Sequence, residues 1–228
     1  MAQPIINLED YTVLQHILFA LGCLLWVFTY IVVLKVIKKS AFIEIPLIAV
    51  TANFAWEFLW SFVFMTNMGL LYVWGYRIWF FLDCFIVFNL FRYGFKQIEL
   101  PSLRKRAVLI IASGIASWFL ILFFYIKNYD HPISHNGAYS GYILNVMMSA
   151  MYIPLLLRLS RTQPFNVWAA WFKGVGTLLI SAFCFLKYTD GFLLSMCAVT
   201  TVLDATYIYL IMKRMNLKNV KENAAVLE

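Results

Sequence analysis

Seven apolar stretches of about 20 residues, joined by short connectors, leave this chain little choice of fold. Backbone polar groups at membrane depth find no water, so each such stretch must pair its own N–H and C=O groups as a helix. We place the spans at 14–37, 42–65, 78–93, 107–126, 139–157, 167–186 and 191–212. Local punctuation supports these edges. Ser102 follows Pro101 before the fourth span, Asn166 precedes the sixth, and Asp190 with Gly191 opens the seventh. The third span has the least defined start, because residues 69–76 either extend it or form an interfacial segment rich in Trp and Tyr. Composition agrees with a polytopic membrane protein: 63% of residues are hydrophobic, 13% are charged, and mean hydropathy is +0.80. No connector is long enough for a separate soluble domain. The expectation is one domain over residues 1–228, all-α, a seven-helix transmembrane bundle. Residues 1–10 are polar and the first apolar run is too long for an h-region, so no signal peptide is expected.

The charges give a direction. Lys35, Lys38 and Lys39 follow the first span; Arg92, Lys96, Arg104, Lys105 and Arg106 follow the third. Arg158 and Arg161 follow the fifth, and Lys213, Arg214, Lys218 and Lys221 the seventh. The alternate connections hold only Arg77, Lys127 and Lys187, while Lys173 falls inside the sixth span near its cytoplasmic end. The positive-inside rule puts the N-terminus outside and the C-terminus in the cytosol. A net charge of +7 is explained by this bias toward an anionic leaflet and calls for no nucleic acid partner.

The second span holds the most informative stretch, residues 51–64, because Glu57 sits in its middle. A carboxylate there costs roughly 2.5–3.5 kcal/mol on insertion scales, which makes a functional role the default reading. On a helix, Asn53 lies one turn before Glu57, with Trp60 and Ser61 one turn after, so one face carries an amide, a carboxyl, an indole and a hydroxyl. The alternative is a protonated glutamate that ties helices together. Asp83 and Asp204 are the other two acids deep inside spans; Glu44, Glu99, Asp130 and Asp190 lie at span ends, where water is expected to reach them. Asp83 follows Trp79 and Phe80, and reads equally as a buried group that holds the third span to the second. Asp204 shares a polar face with Thr200, Thr201 and Tyr207. Asn89 and Asn145 add neutral amides at similar depth. Lys173 and Lys187 are close enough to interfaces to snorkel. No cation is then left at mid-membrane to neutralise all three acids, and desolvation keeps at least one of them neutral. A neutral carboxylic acid in an apolar pocket is a potential general acid.

Aromatics make up 18% of the chain. Most are packing or interfacial belts, but those that face a cavity can stabilise a carbocation through their rings. No aspartate-rich magnesium motif, HExxH, P-loop or GxGxxG is present. Of the three histidines, His131 and His135 flank a connector beside Asp130 and form only a weak candidate metal site. Cys23, Cys84, Cys184 and Cys197 fall inside apolar runs without ligand spacing and read as buried thiols. No metal and no cofactor is expected.

Three segments carry a resemblance: Asn53-Phe54-Ala55-Trp56-Glu57-Phe58, Trp79-Phe80-Phe81-Leu82-Asp83 and Leu203-Asp204-Ala205-Thr206-Tyr207. In content, order and span position the chain resembles the small seven-span terpene cyclases of fungal meroterpenoid and indole-diterpene pathways, which also have bacterial relatives. The first segment is fairly specific, and the likeness covers essentially the whole chain. The resemblance implies a metal-independent terpene cyclase of isomerase or lyase type, acting on a hydrophobic prenylated substrate within the bilayer. An acid protonates an epoxide or a terminal alkene, and the cation closes rings until a proton is lost. It further implies Glu57 and Asp204 as the essential acids. We expect Asn53, Trp56, Trp60, Asp83 and Tyr207 to contact substrate. A proton-coupled transporter is the alternative, in which the acids relay protons. It is weakened by the absence of an internal repeat and by prolines, Pro46 and Pro154, that lie near span ends. A scaffold or receptor would need long binding loops, which the sequence does not have.

Overall fold

The computed structural model describes residues 3–159 and 164–226, with side chains through residue 215. Arg161 lies outside the described residues. Seven apolar helices form the bundle, and among the described residues no strand occurs. They are α1 (Val13–Ser40), α2 (Leu47–Phe58), α3 (Leu70–Tyr93), α4 (Ala107–Tyr125), α5 (Ala138–Arg158), α6 (Val167–Lys187) and α7 (Gly191–Val226). Six are long and apolar enough to cross a membrane, and the shorter apolar segment Leu47–Val63 is the seventh.

The ends of these helices follow the expected chemistry. Thr12 and Gln15 form a capping box at the start of α1. The Asn166 side chain accepts from the Trp168 and Ala169 amides to start α6, and Asp190 accepts from Leu193 N to start α7. The second span is corrected at its beginning: residues 42–46 are not helical. Gln97 staples them, donating to the carbonyls of Ile43 and Ile45 while its own carbonyl accepts from Leu47 N. That satisfies an amide that Pro46, as helix cap, leaves open.

The third span begins at Leu70, eight residues before the expected Ile78. Arg77 read as a boundary charge, yet it lies within α3. Its guanidinium sits over the Trp74 ring at 4.7 Å and the Phe62 ring at 5.7 Å, and donates to the Ser61 carbonyl. Two π-helical turns interrupt the bundle, Leu59–Val63 at the end of α2 and Ile126–Asp130 at the end of α4. Such widened turns often mark functional sites. Helices α1 and α6 cross closely: a Cβ on Gly22 would stand 2.8 Å from the Gly176 carbonyl oxygen, a contact only glycine permits.

Candidate active site

The interior of the bundle holds a cavity of about 80 Å³. One water needs roughly 10–15 Å³, so the space suits a larger guest. Its wall is aromatic, with Trp26 and Tyr30 from α1, Trp56 from α2, Tyr76 and Trp79 from α3, and Phe183 from α6. Tyr76 stacks on Trp79 with centroids 5.6 Å apart, and Trp56 leans on Tyr76 at the same distance. Interlocked rings fix which faces meet the interior.

Glu57 is the acid of this wall, only 2% exposed. The four-residue spacing to Asn53 works as expected: Asn53 Nδ2 donates to Glu57 Oε1 at 2.8 Å. Tyr30 contributes from α1, its hydroxyl donating to the same oxygen at 2.5 Å and accepting from Asn53 at 2.6 Å. Both donors therefore converge on Oε1. Glu57 Oε2 is buried and has no protein partner. The carbonyl oxygen of a neutral acid accepts, and its hydroxyl oxygen is left to give a proton; the arrangement matches that form. Asn53 also reaches Asp83 Oδ2 at 3.3 Å, so one amide links two buried carboxyls. Asp83 faces a separate void of about 10 Å³ that Tyr30, Asn53 and Tyr152 help line. Asn145 lines the main cavity from α5, and its carbonyl oxygen is buried without a partner.

The expected site residues thus separate into groups. Glu57, Asn53 and Trp56 line the cavity, and Asp83 stands directly behind Asn53. Trp60 is fully buried behind Trp56, outside the cavity lining. Asp204 and Tyr207 also stand outside it. Tyr207 packs on Tyr152 with centroids 4.8 Å apart. Asp204 Oδ1 accepts from Lys173 Nζ at 2.6 Å, and the same ammonium donates to Ser149 Oγ at 2.7 Å. Lys173 is 2% exposed, so the expectation that it snorkels to an interface is corrected. Its Nζ lies 5.6 Å from the Trp26 ring centroid and 5.9 Å from that of Tyr152, just behind the site. A helix-internal lysine can stay inside because a carboxylate from the neighbouring helix balances it.

Two acids assigned to watery span ends are also buried. Asp130 is 0% exposed and Glu44 1%. Glu44 lies in the connection before α2 and accepts from Asn166 N at 2.6 Å. Burial pushes its carboxyl up to about 8. The cysteines are free; Cys184 and Cys197 are buried, whereas Cys23 and Cys84 are half-buried. Among the described residues no group of three His, Cys, Asp or Glu side chains could hold a metal ion. Tyr30, Lys173, Ser140 and Ser149 were not singled out as site residues by the sequence. For the tyrosine and the two serines a hydroxyl in an apolar span was the one available signal, and many spans carry one; for Lys173 the signal was a charge inside the sixth span.

Comparison with known proteins identifies the family. The family model of Pyr4-like transmembrane terpene cyclases matches residues 2–215. A Pyr4-family terpene cyclase, mfmH, of Annulohypoxylon moriforme is 24% identical over 209 residues, covering 86% of this chain and 85% of that protein. The terpene cyclase dpasB of Apiospora sacchari is 25% identical over 167 residues, covering 72% of this chain and 67% of its own. No solved structure matches the chain significantly. With nearly its whole length matched, and an aromatic cavity around a buried acid, the chain belongs to the Pyr4-like transmembrane terpene cyclases.

Proposed function

We propose that this terpene cyclase runs a metal-independent, proton-initiated cyclisation of a prenylated substrate, with Glu57 as the proton donor. The observation that supports it most is the asymmetry of the Glu57 carboxyl. Tyr30 and Asn53 both donate to Oε1, and Oε2 stands buried and unpartnered on an aromatic cavity. A group held that way is oriented before substrate arrives.

In the proposed step, the Oε2–H bond breaks and its proton goes to an epoxide oxygen or a terminal alkene carbon. On an epoxide, an oxygen lone pair takes the proton and the C–O bond breaks with its electron pair going to that oxygen, giving a hydroxyl and a tertiary cation. On an alkene, the π pair forms the new C–H bond and leaves the tertiary cation. A neighbouring double bond then supplies its π electrons to form a C–C bond, and the charge moves one unit along. Loss of a proton beside the last cation restores an alkene. That proton returns to the Glu57 carboxylate, directly or through water, so the acid is reset and product and substrate have equal mass. Trp26, Trp56, Tyr76 and Trp79 supply the π faces that stabilise the travelling charge. The same rings keep water from capturing it. Asp204, the second acid implied by the family likeness, has in this proposal the role of neutralising Lys173 behind that wall.

The test is Glu57→Gln, which keeps shape and can still accept from Tyr30 but has no acidic proton. Turnover per folded molecule should fall by about 10²–10⁴-fold. The assay supplies prenyl chains with terminal epoxides or alkenes on varied head groups and looks by mass spectrometry for an isomer of unchanged mass. Near-normal turnover in well-folded Glu57→Gln would remove the basis of the proposal.

A further inference from the structure

We infer that Asp130 and Ser140 are positioning residues that hold the Trp56 ring as a fixed wall of the cavity and thereby govern which cyclised product forms; the inference rests on the cyclase reading of the site. Asp130 is a fully buried acid that the protonation step does not use. Its two oxygens accept from four donors. Ser134 Oγ at 2.5 Å and Tyr139 N at 3.3 Å bind Oδ1, while Ser140 N at 2.7 Å and the Ser140 hydroxyl bind Oδ2. That is a full set for a carboxylate, and it locks the first turn of α5 to the π-helical turn that ends α4.

Because Ser140 spends its proton on Asp130, its oxygen is turned to accept. Trp56 Nε1 donates to it at 2.7 Å and Trp60 Nε1 at 3.3 Å. Trp56 and Trp60 are one turn apart on α2, so one hydroxyl of α5 fixes both indoles. The backbone beside them is cut to fit. Gly137 has φ +85°, and a Cβ there would meet Trp56 at 2.8 Å and Trp60 at 2.9 Å. A Cβ added at Gly141 would stand 3.3 Å from Trp56. Of the two rings, only Trp56 lines the cavity. A ring face that stabilises one cation among several along a prenyl chain selects where closure stops. The tilt of Trp56 is therefore a specificity setting, and Asp130 acts on it through Ser140.

The experiment is a double-mutant cycle of Ser140→Ala and Trp56→Phe in the full-length protein. Its readout is the ratio of fully cyclised product to earlier-terminated isomers from one terminally epoxidised prenyl substrate. Phe keeps a ring face and has no N–H. Ser140→Ala should change the ratio by about fivefold, the worth of one hydrogen bond, and should change it no further in the Trp56→Phe background. A merely structural role would lower folded yield and leave the product ratio per folded molecule as in the wild type; that result would overturn the inference. So would equal effects of Ser140→Ala in both backgrounds. If Ser140→Ala yields no folded protein, Ser140→Cys keeps the volume, weakens the acceptor and goes through the same cycle. If the wild-type protein cyclises none of the epoxide- or alkene-terminated prenyl substrates, the proposed function fails by itself. The cycle is then read as melting temperature: additive effects refute the indole lock and non-additive ones support it.

Discussion

Asp204→Asn should disable this protein without Asp204 ever donating a proton, and the reason lies in its partner. Lys173 Nζ is buried with two polar partners, Asp204 and Ser149, plus the Trp26 and Tyr152 rings at 5.6 and 5.9 Å. Removing the carboxylate leaves a full positive charge in the bundle, and breaking one side of a buried pair costs about 3–5 kcal/mol. At ~2–4 °C per kcal/mol for a chain of this size, the midpoint of thermal unfolding should drop by about 6–20 °C. The surviving cation, 5.6 Å from the Trp26 ring centroid, also repels a carbocation held against that ring. Replacing both members with apolar residues removes the charge together with its partner, a change that is often neutral or stabilising. Lys173→Met combined with Asp204→Leu should therefore regain both melting temperature and product formation relative to Asp204→Asn. Thermal unfolding in detergent and product per folded molecule read the two quantities separately. A double variant that melts like wild type yet forms no product would refute this reasoning and return Asp204 to the role of essential acid.

Three further outcomes follow from the same geometry. Tyr30→Phe removes one of the two donors to Glu57 Oε1, and should lower turnover by about 5–10-fold, less than Glu57→Gln, with folding intact; an unchanged rate would show that Asn53 alone orients the acid. Glu44 holds its proton more tightly folded, at about 8, than unfolded, at an ordinary 4.5, so its contribution to stability is complete below about pH 4.5 and fades as pH rises toward 8. Glu44→Gln should flatten that decline in thermal unfolding from pH 5 to 8, and an equally steep profile would assign the decline to other groups. Reporters fused at each end should read an outside N-terminus and a cytosolic C-terminus, as the Lys and Arg distribution requires; both ends on one side would contradict an odd number of crossings.

What the sequence made legible is what one helix can display by itself. Asn53 and Glu57 are four apart, so their pairing is a property of α2 that spacing alone predicts. Asn166 and Asp190 sit at the starts of α6 and α7 because capping is local too. The misplaced start of α3 has an equally local cause: a charge at position 77 reads as an edge until Trp74 and Phe62 are seen to cover it.

Pairings between helices are a different matter. Lys173 and Asp204 are 31 residues apart, and no periodicity links them; taken alone they read as an interfacial cation and a neutral acid, and their contact exists only once α6 and α7 are packed together. Tyr30 joins Glu57 from 27 residues away, and Ser140 joins Trp56 from 84. Asp130 falls just before His131 and Pro132, a string that reads as a loop, and its burial depends on α5 folding back over the π-helical turn. The acid itself is thus written into one helix, while its orientation, its neutral surroundings and the wall of rings facing it are set by other helices. A substitution at Glu57 should therefore remove the chemistry. Substitutions at Ser140 or Asp130 should instead redirect it, because they leave the proton in place and change only the surface over which the cation travels.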